Sequence, residues 1–307
     1  MNATQTYPVK PIYLIVPGVA GGPGDIIARV IGEKLSTNLG QQVIIKQGLS
    51  QNAAVLDAAR APADGYTLVM GTGAFYINAA LYRKLPFDPV KDFAPVASVA
   101  SVANVLVVHP SVPVNSVAEF IAYAKKNPGK LRYGSSGRAG PPHLAGEMFS
   151  RMAGVELTHV PYKGHVAAGH ALCEGRDLQV MFDAVPTAMP HINAGELKAL
   201  GLTTLKRIAA LPMIPTISEC GVTGYELNPV MGVLAPAGTP DDILVRMANE
   251  IENVTKSPYV KSHLQSIGIE TVAMSRDDFV SHRKGQFEKW AGVLKICGIE
   301  SMDAPAK

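Results

Sequence analysis

What most limits the fold of this chain is that apolar runs alternate with helical periodicity along nearly its whole length. IYLIV (12–16) reads as a buried strand. Ile27, Val30, Ile31 and Leu35 then share one helical face, and Gly40 stands just past its end. Residues 41–46 and 66–70 read as strands. Residues 116–129 read as a helix, opened by a Ser116–Glu119 capping box and closed by Pro-Gly. The pattern continues with strand 131–136, helix 141–154, strands 155–160 and 178–182, and helices 239–254 and 275–295. The Phe279, Phe287 and Trp290 stripe of the last helix reads as core. Strands interleaved with helices predict an α/β fold with mainly parallel sheets.

Two regions, 12–76 and 131–191, repeat one plan: strand, Gly/Ser-rich loop, helix, then a strand ending in a polar loop. Two such lobes facing each other form a cleft, with ligands beyond the carboxyl ends of the strands. The chain turns at prolines near 104–112 and returns near 226–236. This predicts a discontinuous first lobe (1–105 and 226–307), a second lobe (106–225) and a hinge of two crossings.

Bulk properties exclude several classes. With 307 residues, 47 % apolar and 17 % charged, the chain can fill two cores. A net charge of +3 from scattered Lys and Arg argues against nucleic acid. The apolar run 94–109 is too short and polar to span a bilayer, and reads as strand, turn and buried strand. Cys173, Cys220 and Cys297 form no C-x-x-C pair and read as small buried residues, with a Cys173–Cys220 disulfide the alternative. No His spacing matches a metal motif, so neither metal nor cofactor is expected. MNATQTYPVKP has no basic run followed by an apolar one, which leaves a cytoplasmic chain or one whose signal was exchanged for a start Met.

Four stretches carry chemistry. VPGVAGGPGD (16–25) packs Gly18, Gly21, Gly22 and Gly24 before a helix near Asp25; its content is an anion at a helix start, or a tight turn capped by Asp25. It is neither a Walker A loop nor G-x-G-x-x-G. YGSSGRAGPPH (133–143) offers Ser135 and Ser136 at a strand end, Gly137 for close approach, Arg138 as a fork for a carboxylate, and His143 as donor or cap. It lacks the G-x-S-x-G elbow of a serine nucleophile. Asp183, directly after LQVMF, is expected at the cleft edge, facing a ligand N–H or O–H, a water or loop N–H groups. In MGTGAFYIN (70–78), Thr72 and Asn78 are polar at a strand end, while Phe75 and Tyr76 form either loop packing or a flat wall for an aromatic acid.

The whole chain resembles the Bug family of extracytoplasmic solute receptors of tripartite tricarboxylate transporters. The resemblance is carried by YPVKPIYLIVPGVAGGPGD, LPFDPVKDFAPVA, NPGKLRYGSSGRAGPPHLAGEMF, HVPYKG, VMFDAVPTAMPHI and GVLAPAGTP, in the family's order, over residues 7–300. It implies a two-lobed periplasmic binding protein, monomeric and without cofactor, that closes on a carboxylate and is recognised by membrane transporter subunits. It implies contacts from Val19, Ala20, Gly21 and Gly22 to one end of the ligand and from Ser135, Ser136 and Gly137 to the other. Asp183 matches the family's Asp, used for an amino group or to order water. The chain departs from the family in the short KQGLSQNAA (46–54), in Phe75, Tyr76 and Arg138, and in lacking a signal peptide, which implies a mature form.

The expected function is capture of a carboxylic acid by lobe closure. A dicarboxylate with an aromatic or extended body is expected, with Arg138 neutralising one end and Phe75 and Tyr76 flanking the body. The alternatives are an enzyme using Asp183 with His143 or Tyr162, or a sensor that hands its closed form to a signalling protein.

Overall fold

A computed structural model describes residues 7–48 and 50–303. Residues 1–6, where the missing signal was read, Leu49 of the short 46–54 loop, and 304–307 of the first lobe lie outside the described residues. The chain runs β1 (Ile12–Pro17), α1 (Pro23–Leu39), β2 (Val43–Gly48), α2 (Gln51–Ala59), β3 (Thr67–Gly71), α3 (Gly73–Leu81) and β4 (Phe93–Val102). It crosses into β5 (Asn104–Val108), α4 (Val117–Lys126), β6 (Arg132–Ser135), α5 (Pro141–Ala153), β7 (Thr158–Pro161), α6 (His165–Glu174), β8 (Val180–Ala184), α7 (Val185–Asn193) and β9 (Lys198–Leu202). It then returns through β10 (Val230–Pro236), α8 (Asp241–Lys256), α9 (Pro258–Ser266), β11 (Ile269–Thr271) and α10 (Arg276–Ile296).

Local signals set these elements. Pro23 takes the first turn of α1, and Gly40 ends it in the left-handed region at φ 64°. Ser116 Oγ accepts from Glu119 N at 3.2 Å, and Glu119 reaches back to Asn115 N at 2.7 Å. The strand expected over 155–160 forms only at Thr158–Pro161, because α5 ends at Gly154 and the chain must first turn. The cysteines are free, and Cys173 and Cys220 are only half-buried, so the expected buried trio reduces to Cys297.

The first sheet has the order β11-β4-β10-β3-β1-β2 and the second β7-β6-β8-β5-β9. Both are mixed rather than mainly parallel. β1 pairs parallel with β2 and β3, and β6 with β7 and β8. The antiparallel partners include the strands that carry the chain between lobes: β4 leaves and β10 returns beside it, while β5 enters against β8 and β9. A chain that goes out and comes back lays those strands in opposite directions. At the crossings, Val102 N donates to Pro229 O at 3.3 Å. Thr203 joins the two segments: its Oγ1 accepts from Asn104 N at 3.0 Å and donates to Leu227 O at 2.8 Å, fully buried. Helix α10 packs its buried Phe279 and Trp290 into the core, and its end reaches the second lobe through Cys297 Sγ and Leu144 O at 3.8 Å.

Candidate functional site

Six strands, three per lobe, lead through turns of at most five residues into helices at the interlobe cleft, and all six helix starts border one cavity of about 670 Å³. The junctions are β1–α1, β2–α2, β3–α3, β6–α5, β7–α6 and β8–α7. Only Ser50, before α2, caps its helix with a side chain. Gly22, Thr72, Gly140, Gly164 and Ala184 make no side-chain cap bond. Five of the six helix starts therefore turn an uncapped positive dipole end toward the space between the lobes, although Pro23, Pro141, Pro142 and Pro186 carry no N–H and Val185 N already donates to Ala103 O. The lobes meet at its mouth: a Cβ on Gly164, at φ 100°, would lie 2.5 Å from Val19 Cγ2 across the cleft. A Cβ on Gly73 would lie 3.1 Å from Pro141.

In the first Gly-rich loop, Val19, Gly22 and Asp25 line the cavity, while Ala20 and Gly21 lie outside its wall. Asp25 is buried and its carboxylate is already engaged: it accepts from Gly21 N at 2.9 Å, from Gln47 Nε2, and from Arg29 Nε at 2.9 Å. It is therefore an internal brace that fixes the loop's curvature.

In the second loop, Ser136, Gly137 and Arg138 line the cavity, with Arg138 exposed at the rim beside Lys163, a lining cation the sequence reading passed over. Ser135 turns the other way. It is fully buried, with Oγ 2.7 Å from His159 Nε2 and donating to Gly137 O at 2.9 Å. Ala139 holds a left-handed φ of 56°. Its N–H donates to His143 Nδ1 at 3.0 Å, so His143 acts as a cap behind the loop and does not touch the cavity. The His143 and His159 rings sit 3.9 Å apart. Burial first, then the Arg138 charge, pushes His143 down to about 4. Burial, then His143, takes His159 to about 4, with Glu147 opposing.

Asp183 is buried at 2 % exposure and does not border the cavity. Its Oδ1 lies 2.7 Å from His165 Nδ1 and accepts Ala184 N at 2.8 Å. His165, first residue of α6, does line the wall. The sequence placed Asp183 at the cleft edge; the structure puts the imidazole between it and the cavity. Tyr162 also lies off the wall, packed in the second lobe's core. Thus Asp183, His143 and Tyr162, the set considered for catalysis, do not converge on the cavity.

Thr72 and Asn78 line the wall, held by Gln51 Nε2 at 3.2 Å and Asn52 Oδ1 at 2.9 Å, both themselves lining residues. Phe75 and Tyr76 do not. Each is 1 % exposed, in an aromatic cluster with Phe87, Phe93 and Phe287. Their stretch is the first turn of α3, so these rings rotate into the core while Thr72, Ala74 and Asn78 keep the cavity side. The apolar wall is aliphatic instead, from Leu56, Ala74, Pro86 and Met231, with Tyr82. Asn104 at the hinge also lines the cavity; it is 2 % exposed and its Nδ2 has no hydrogen-bond partner within the protein.

The model of the tripartite tricarboxylate transporter family receptor matches residues 27–299. The chain is 34 % identical over 293 residues to a protein from the tcbD–tcbE intergenic region of Pseudomonas sp. (strain P51), covering 94 % of this chain and 87 % of that one. It is 30 % identical to BugT of Bordetella pertussis, covering 97 % and 92 %. Among solved structures, an R. palustris protein with adipate is 38 % identical, with a TM-score of 0.91, covering 96 % of this chain and 100 % of that one. MatC of Rhodopseudomonas palustris with bound malate is 27 % identical, with a TM-score of 0.85, covering 94 % and 100 %.

Proposed function

The chain belongs to the tripartite tricarboxylate transporter receptor family, and we propose that it is a periplasmic receptor that closes its lobes on an extended aliphatic dicarboxylate and presents the closed form to a membrane transporter. The observation that carries this is the convergence of six helix N-termini, three from each lobe, on one cavity. Each lobe alone offers an acid only its own helix N-termini, and the closed state offers both groups at once, so the ligand binds the closed state more tightly and shifts the population toward it.

One carboxylate is received by Val19 and Gly22 with the start of α1, and the other by Ser136 and Gly137 with the start of α5. Arg138 and Lys163 add positive charge at the rim, and Asn104 Nδ2 supplies a donor from the hinge. The aliphatic wall favours a methylene chain over an aromatic ring, and the similar adipate-bound protein supports that choice.

Isothermal titration of the purified chain with adipate, shorter and longer diacids, malate and the matching monoacids tests the proposal. The expected result is one site per chain, tightest for a diacid, with monoacids at least tenfold weaker. Absence of binding by every acid overturns the receptor reading. Equal binding of mono- and diacids overturns the two-ended mode.

A further inference from the structure

Away from the cavity, at the far end of α6, three side chains of different chemistry converge. Cys173 Sγ, from the last turn of α6, lies 3.3 Å from His191 Nδ1, near the end of α7. His191 Nδ1 lies 2.6 Å from Glu196 Oε2, in the turn that follows. All three ligand atoms fall within 4.8 Å of one another. His170 stands one helical turn before Cys173, its ring 6.2 Å from that of His191.

We propose that Cys173, His191 and Glu196 form a binding site for a borderline-soft divalent cation of the zinc type, distinct from the carboxylate cavity. Two features carry it. The donor set of thiolate, imidazole and carboxylate is one that zinc accepts and that magnesium or calcium does not. The spacing is close to that of a tetrahedral ion, whose S···N and N···O edges are about 3.6 and 3.3 Å. The 3.3 Å Sγ···Nδ1 separation therefore nearly fits already, and Glu196, which is exposed, moves out from 2.6 Å by about 0.7 Å.

On metal binding the thiol proton leaves to solvent and the imidazole proton moves to Nε2, so that Sγ, Nδ1 and Oε2 all face the ion. His191 and Glu196 are five residues apart and Cys173 lies 18 before His191, a spacing no short motif describes.

Titration of the full chain with Zn²⁺ against a chromophoric chelator, with Co²⁺ as a spectroscopic substitute, decides it. One Zn²⁺ per chain is expected. Cys173→Ser, His191→Ala and Glu196→Gln should each weaken it at least tenfold while adipate titration and circular dichroism stay as in the parent chain. The Co²⁺ form should show a thiolate-to-cobalt charge-transfer band that Cys173→Ser removes. No zinc binding, no such band, or unchanged zinc affinity in Cys173→Ser overturns the proposal. None of these results bears on the carboxylate site.

Discussion

His165 Nδ1 sits 2.7 Å from Asp183 Oδ1, and of the two only the imidazole reaches the cavity wall. Asp183 is held in turn by Ala184 N at the end of β8, so a rigid strand fixes the acid and the acid fixes the ring. The bond sets which His165 nitrogen carries a proton and keeps a buried carboxylate from facing an anionic guest unscreened. Asp183 therefore acts on the ligand through His165. Asp183→Asn and His165→Gln should each weaken diacid binding by about tenfold, or ~1.4 kcal/mol. The double variant should lose little more than either single one. Full additivity of the two losses, measured by titration calorimetry, would show that the residues contribute separately.

The hinge makes a second prediction. Thr203 Oγ1 joins the outgoing segment at Asn104 and the returning one at Leu227, wholly buried. Thr203→Val keeps the shape and removes the hydroxyl. Asn104 N and Leu227 O then lose a partner inside the protein, which should cost about 1–3 kcal/mol of unfolding free energy. Denaturant unfolding with an unchanged m-value checks this; a loss under 0.5 kcal/mol, on the order of a surface change, would mean that water replaces the hydroxyl.

The sequence pattern disclosed the strand–loop–helix junctions because a Gly-rich turn between a β-branched run and a 3.6-residue stripe has few other solutions. Gly21–Asp25 and Ser136–Arg138 were legible for that reason. Phe75 and Tyr76 were misplaced because 70–78 reads as a loop until Gly73 is known to open α3; one helical turn then carries both rings inward. Ser135 and Ser136 are neighbours on a strand end, so only one can face the ligand, and composition does not say which. His165, Lys163 and Asn104 carried no signal beyond a polar residue at the edge of an apolar run. The roles of His165 and Asn104 come from contacts with residues far along the chain, 18 positions off where His165 meets Asp183 and 99 where Asn104 meets Thr203.

Acid should loosen the second ligand loop. His143 and His159 are both pushed down to about 4, against about 6.5 in an unfolded chain. Well above pH 6.5 neither state is protonated at these rings and they add no pH dependence. Between about pH 6.5 and 4 the unfolded state takes up protons that the folded state refuses, so stability falls as pH falls through that window. Below about 4 the folded rings protonate too, and His143 Nδ1 can no longer accept from Ala139 N–H. The loss should be on the order of 3 kcal/mol for the coupled pair. Chemical unfolding at stepped pH values checks it, and His143→Gln/His159→Gln should flatten the curve there. A parent chain equally stable at pH 7 and 4.5 would refute the assignment.

Asn104 offers the sharpest probe of charge in the cavity. Its side chain is 2 % exposed, lines the wall at the hinge, and keeps Nδ2 without a partner inside the protein. A buried amide donor left free is costly unless something accepts from it. A carboxylate oxygen in the cleft is such an acceptor. Asn104→Asp is nearly isosteric but replaces the donor with an anion, so it should repel the guest and cut diacid affinity by more than a hundredfold, about 2.7 kcal/mol. Asn104→Ala removes the donor without adding charge and should cost only about tenfold. Both variants keep the Asn104 backbone bonds to Thr203, so their folds should hold. Equal losses in the two would mean that residue 104 supports the hinge without contacting the acid; the predicted gap between them requires a negative group within a few ångströms of that side chain.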